Sequence, residues 1–272
     1  MSTYRKENLL ILTKTYPLPS ANYREHTCVV AIDSNGVLYR LYPIPFRILS
    51  GDQQFKRWQW ITAKITKASD KRPESHKIDV DSISLGKIVS TDQNWAERVQ
   101  IISPHILESP DALEERRNTS GETIGCIKPM DFELIIEPRK NPDWTPKEIA
   151  NLTKEGLFDS PEVAKRSRLK KVPFKFRYRF HCDTPEGKKE YNYMITDWEI
   201  SMLFWNCHHS HKQNWEEPFR QKMEVEFKEK KSLIFLMGNR HRFQDVWLIV
   251  GIFYPPRVDA RQTSFFPLDS NV

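Results

Sequence analysis

The chain has 272 residues, 39% hydrophobic and 12% aromatic, with 8 Trp and 15 Phe. That is enough to bury a core in one large domain or two small ones, and too apolar for a disordered tail. Lys and Arg outnumber Asp and Glu by 42 to 36, a net charge of +6, which favours a polyanionic partner without dictating a fold.

No stretch reaches the roughly 18 apolar residues of a spanning helix, and the start, MSTYRKENLLILTKTYP, lacks the long apolar core of a secretory signal. The expectation is a cytoplasmic protein with no membrane partner. Its four cysteines, Cys28, Cys126, Cys182 and Cys207, are then thiols, metal ligands or a nucleophile before they are disulfides.

In chain order, NLLILTK and CVVAI read as strands, and Ser34-Asn35-Gly36 is a hairpin turn leading to VLYRLYP. WQWITAKIT alternates well enough to be a further strand. Residues 92 to 117 look helical, with Ser109 capping a helix that has Pro110 at its first position. DFELIIEP returns to strand. From residue 138 to 171 the chain turns polar: Thr145 and Glu148 form a capping box, Ser160-Pro161-Glu162 opens another short helix, and the stretch ends in AKRSRLKK.

The C-terminal part opens with FKFRYRF. Phe174, Phe176, Tyr178 and Phe180 share one parity and Lys175, Arg177 and Arg179 the other, giving an aromatic and a cationic face on one strand. Thr196 and Glu199 read as a second capping box. Trp215, Phe219, Met223 and Phe227 recur every fourth residue as an apolar helix stripe, and SLIFLMG and VWLIVGIFYPP follow as buried strands. The expected fold is α+β: a β-rich, small barrel-like unit over residues 1–137, a polar and basic connector over 138–171, and an α+β unit with mixed sheet and helices over 172–272.

Several groups could carry chemistry. Lys170, Lys171, Lys175, Arg177 and Arg179, joined by Arg240 and Arg242 of a later loop, could track a phosphate backbone; the alternative is a solvated edge strand kept soluble by charge. In YRLYPIPFR, Arg40, Tyr42 and Arg47 could stack on and hydrogen-bond an unstacked base, with Arg72 and Glu74 of DKRPES orienting it. The competing reading is a packed barrel corner and a self-satisfied loop. Cys28 with nearby Glu25 is a candidate thiol nucleophile, Cys126 a rival, and Asp197 a weak acid/base candidate already placed at a helix start. Cys182, Cys207, His209 and His211, with His208 beside them, could hold zinc, although the spacing fits no zinc module.

Together KTYPLPSANYREHTC, YRLYPIPFR, DKRPES, KFRYRF followed by DWE, and VGIFYPP resemble a group of bacterial proteins encoded beside DNA-modification and anti-phage genes: the accessory enzyme of 7-deazaguanine DNA-modification clusters. Gly187 and Glu190 stand where that group's pattern would place further metal ligands. The resemblance implies DNA as substrate, other proteins of the modification system as partners, and conversion of 7-cyano-7-deazaguanine in DNA to the 7-amido form by an activated thiol or metal-bound water. The alternatives are a non-catalytic reader whose barrel is PUA-like, and a metal-dependent nuclease using the histidines.

Overall fold

In the computed structural model, which describes residues 3–153 and 168–257, the apolar runs of the first third pair as their alternation requires. Strands β1 (Arg5–Lys14), β3 (Arg24–Ile32), β4 (Leu38–Ile44), β5 (Gln59–Lys67) and β6 (Ser75–Ile88) form one sheet, with the short β2 (Leu18–Ser20) beside β3. An additional β1–β3 pairing closes the five longer strands into a ring. Closure removes the free edge that would otherwise invite aggregation. The expected β3–β4 hairpin is present, and its Gly36 has φ +81°, a conformation that an L side chain resists.

Helices α1 (Asp92–Ile102) and α2 (Pro110–Ser120) follow, and the Ser109 side chain caps α2 by accepting from the Ala112 N–H. A second, mixed sheet then runs in the order β7 (Ile106–Leu107), β8 (Ile124–Ile127), β12 (Ile234–Asn239), β13 (Trp247–Phe253), β11 (Gly187–Ile195), β10 (Phe174–Thr184), β9 (Asp131–Pro138). Since β7, β8 and β9 belong to this sheet, the two sheets divide the chain between β6 and β7, earlier than residue 137. The Thr145–Glu148 capping box opens α3 (Pro146–Leu152) as expected. The helix expected at Ser160 and the cations Lys165 and Arg166 lie outside the described residues.

One face of the second sheet is covered by α4 (Trp198–His211) and by a helical run made of α5 (Glu216–Arg220), a π segment (Gln221–Glu226) and α6 (Phe227–Lys230). The stripe Trp215, Phe219, Met223 and Phe227 is buried in the same core as Phe176, Tyr178 and Phe180. Four residues of α-helix turn through about 400°, so an every-fourth stripe drifts around the helix; the wider π turn brings it back onto the sheet.

The opposite face of this sheet packs on the outside of the ring. Leu10, Leu12, Val30, Ile32 and Trp58 from the ring meet Ile124, Cys126, Ile234, Leu236, Val250 and Phe253 in one buried cluster. The approach is tight at Gly251, where a Cβ would stand 2.6 Å from Thr13 Oγ1. Thr13 donates to the Val250 carbonyl at 3.1 Å, and Arg57 fastens both sides by donating to the Leu12 carbonyl at 2.7 Å and the Ile252 carbonyl at 2.6 Å. These contacts fix the seam in which the candidate site lies.

Candidate functional site

Strand parity decides which side chains reach the seam. On β3, Val29 turns into the ring core while Val30 turns to the second sheet; on β4, Tyr39 and Leu41 turn into the ring. His26 and Cys28 share the parity of Val30, and Arg40, paired with Val30, lies with Tyr42 on that same outer face. Glu25, three residues before Cys28, falls on the other side. There it accepts from Arg47 Nη1 at 2.9 Å. The expected Glu25–Cys28 pair is therefore not formed, and Arg47 leaves the expected base pocket for an ion pair elsewhere.

The outer face borders a cavity of about 610 Å³ between ring and second sheet. His26, Cys28, Arg40 and Tyr42 line it from the ring, Asp70, Arg72 and His76 from the β5–β6 region, Trp144 from the segment after β9, Lys171 and Phe174 from the start of β10 and the stretch before it, and Arg240 and His241 from the β12–β13 loop. Three of the five expected base-pocket residues, Arg40, Tyr42 and Arg72, thus lie together, and Cys28 lies with them.

Arg40 is 4% exposed. Its Nη2 donates to Thr123 Oγ1 at 2.9 Å and the Thr123 carbonyl at 3.1 Å and pairs with Glu74 Oε1 at 3.4 Å. Nη1 stands 4.0 Å from Cys28 Sγ, and Nε has no hydrogen-bond partner. Glu74 therefore acts behind the cavity wall, as a holder of Arg40 that also accepts from the Thr123 N–H at 3.2 Å. Gly238 of β12 makes room: a Cβ there would stand 3.4 Å from Arg40 Nη1. A buried guanidinium with unspent donors beside a cavity is a preorganised receptor for an acceptor group.

Arg72 spans the seam in the same way, donating to the Asn239 carbonyl at 3.1 Å and Asn239 Oδ1 at 3.0 Å while holding Asp70. Burial alone would raise the Asp70 pKa, but hydrogen bonds from the Arg72 side chain and backbone, the Arg72 charge and the Ser75 hydroxyl hold it well below the usual carboxylate range. His241 Nδ1 lies 3.2 Å from the same carboxylate. Burial lowers the pKa of both His26 and His76, which favours the neutral imidazole at each.

Other expected residues lie away from the cavity. Cys126 of β8 is 1% exposed inside the seam cluster, and burial pushes its thiol up to about 12. A thiol so buried and held protonated has no route to a substrate, which removes it as a nucleophile. Asp197 caps α4, a role sequence reading gave to Thr196. It is 1% exposed and accepts from the N–H groups of Glu199 at 2.7 Å, Ile200 at 3.2 Å and Ile252 at 3.1 Å. Burial raises its pKa against the pull of Arg57. Glu199 pairs with Arg57 at 2.9 Å and makes no reciprocal cap.

The expected zinc ligands are not brought together. Cys182 on β10 and Cys207 on α4 are buried in the second core, while His208, His209 and His211 are exposed at the C-terminus of α4, where the helix dipole favours them. Among the described residues no three His, Cys, Asp or Glu side chains are grouped to hold a metal ion. These residues do not fit zinc.

The FKFRYRF strand has the two faces its alternation implies, but β10 is not an edge: it pairs with β9 on one side and β11 on the other. Its cations meet acids and acceptors. Arg179 pairs with Glu133 and lies 3.9 Å from Glu190, Arg177 donates to Asn192 Oδ1 at 2.7 Å and to the Asn192 carbonyl at 2.8 Å, and Asp131 holds His181 at 2.6 Å and Lys188 at 2.9 Å. Of the seven cations expected to track phosphate, Lys171 and Arg240 line the cavity. Lys170 lies over the Trp205 ring, and Arg242 is exposed in the β12–β13 loop.

Sequence reading missed His26, His76, Arg139 and Trp144, which all line the cavity. His26 carried a usable signal, standing two residues from Cys28 on one strand. Arg139 and Trp144 carried none, since only tertiary structure brings the segment after β9 to the seam.

Residues 107–269, more than half of the chain, match the family described as Domain of unknown function (DUF8757). The chain belongs to the DUF8757 family. Residues 5–104 match a second family, Domain of unknown function (DUF8758). The boundary between the matches falls where the two sheets divide, so the DUF8757 part carries the mixed sheet and the DUF8758 match the ring, with the cavity between them. No curated protein matches the chain. Among solved structures it is similar to a chain of a replication protein A heterotrimer bound to ssDNA, at 6% identity and a TM-score of 0.25, covering 97% of this chain and 68% of that one. A likeness of that size carries no argument for this DUF8757 protein.

Proposed function

We propose that the protein binds DNA and receives one unstacked base in the seam cavity. The observation that carries this reading is Arg40: a buried guanidinium on the cavity wall, held from behind by Glu74 and Thr123 with Nη1 toward Cys28, it supports recognition of an acceptor on a planar ligand. Tyr42, Trp144 and Phe174 supply aromatic surface in the same cavity, and base–aromatic stacking contributes about 1–3 kcal/mol per base. The net charge of +6 favours the polyanion. In this reading the closed ring is a PUA-like module whose outer face grips the altered base.

The chemistry we propose in that cavity is conversion of 7-cyano-7-deazaguanine to its amide, the step implied by the resemblance to 7-deazaguanine modification proteins. Cys28 is the half-buried cysteine among four, the other three being buried, and burial favours the neutral form of His26, two residues away on the same strand. The thiol adds across the nitrile, its sulfur bonding to carbon while its proton, passed through His26, goes to nitrogen. Water then attacks the thioimidate carbon, the C–S bond breaks, and the amide leaves with the thiol restored. In this reading Arg40 Nη1, 4.0 Å from Cys28 Sγ, holds the nitrogen as charge builds on it.

Mass spectrometry of nucleosides from 7-cyano-7-deazaguanine DNA incubated with the protein tests this. The expected result is the amide nucleoside with wild type and none with Cys28→Ala, which still binds DNA. Unchanged nucleoside with wild type, with DNA bound, would leave a non-catalytic reader; equal turnover by Cys28→Ala would exclude the thiol.

A further inference from the structure

We infer that Arg139, Lys171 and Arg240 form a phosphate subsite at one end of the seam cavity, holding the phosphate of the nucleotide whose base lies against Arg40; this rests on the base-receiving reading above. All three line the same cavity. Pro138 pairs with Phe174 across β9 and β10, which sets Arg139 beside the segment that follows Lys171. The Arg139 backbone N–H donates to the Pro173 carbonyl at 2.8 Å, and its Nε donates to the carbonyls of Val172 at 3.0 Å and Phe174 at 3.1 Å. The side chain is thereby fixed, and its two terminal nitrogens have no protein partner among the described residues.

Lys171 is steadied by the Asp143 carbonyl at 3.0 Å and by the Trp144 ring at 5.1 Å, contacts that leave further ammonium protons to donate. Arg240 makes no side-chain hydrogen bond or ion pair among the described residues. Two influences lower the Arg139 pKa, burial first and then the Arg240 charge. A carboxylate would act in the opposite sense. Glu148, whose pKa the Lys171 charge helps to lower, is already held in the Thr145 capping box.

The contrast within one cavity gives the cluster its meaning. Arg40 has Glu74 and Arg72 has Asp70, whereas these three cations line the cavity with no paired acid among the described residues. Like charges on one cavity wall are unfavourable until an anion joins them, and a phosphate offers several acceptor oxygens to two guanidinium forks and an ammonium. A carboxylate presents only two oxygens.

The test compares binding of deoxyguanosine, deoxyguanosine 5′-monophosphate and inorganic phosphate to the full chain by calorimetry at low salt. The expected result is a monophosphate at least about tenfold tighter than the nucleoside, about 1.4 kcal/mol, with Arg240→Gln and Arg139→Lys each reducing that ratio and leaving nucleoside affinity unchanged. Arg240 is exposed, so its variant folds even if a change at Arg139 does not. Equal affinity for nucleoside and monophosphate would overturn the phosphate subsite and leave the base pocket standing. Inorganic phosphate binding in the wild type, lost in Arg240→Gln, with no nucleoside binding, would do the reverse. Binding of none of the three would overturn both.

Discussion

The outer face of β10 and the rim of the seam cavity are both rich in cations, and they differ in what stands next to them. On β10, neighbouring strands bring Glu133, Glu190 and Asp131 alongside Arg179, His181 and Lys188, so a run that is dense in positive charge along the chain is mixed in space. At the cavity, Arg139, Lys171 and Arg240 come from separate segments of the chain and, among the described residues, have no carboxylate paired with them. The lesson is that cross-strand register, more than local composition, decides where a basic protein is electrostatically unspent.

Breaking the seam itself has the largest expected effect. Gly251→Ala places a methyl 2.6 Å from Thr13 Oγ1, in the tight packing between ring and sheet. The expected cost is about 1–3 kcal/mol, or roughly 2–12 °C in Tm, with DNA binding weakened because the cavity walls part. An unchanged Tm by calorimetry would mean that the two sheets are not locked together there.

The comparison between the two basic regions sharpens with salt. Each phosphate-contacting cation contributes about one unit, somewhat less on single strands, to the slope of log affinity against log salt. Replacing Arg139, Lys171 and Arg240 by Gln is expected to reduce that slope by about two units. Replacing Lys175, Arg177 and Arg179 by Ala is expected to change it by less than about one, since Arg177 and Arg179 are held by Asn192, Glu133 and Glu190. The reverse ranking would restore the strand as the docking surface.

Much of the fold was legible because it follows from local rules. The hairpin at Gly36, the caps at Ser109 and Thr145, the apolar stripe from Trp215 to Phe227 and the two faces of β10 each express a periodicity or a turn preference within a few residues. The assignment of β7 to β9 to the second sheet was not legible, because short strands do not state their partners. The site divided along the same line. Arg40, Tyr42, Arg72 and Cys28, singled out from residue type and neighbourhood, line one cavity. Glu25 was paired with Cys28 by proximity in sequence, and the parity of one strand separates them. The cap at Asp197 was shifted by one residue to Thr196, within the usual uncertainty of helix ends.

The most direct test of the central claim is disulfide trapping between Cys28 and a single-stranded oligonucleotide carrying a short thiol tether on one base. Cys126, Cys182 and Cys207 are buried, so a base entering the seam cavity is expected to cross-link to Cys28, located by mass spectrometry, and the cross-link to vanish in Cys28→Ser. Bound oligonucleotide with no cross-link to Cys28 under the same redox conditions would contradict the placement of the base in the cavity.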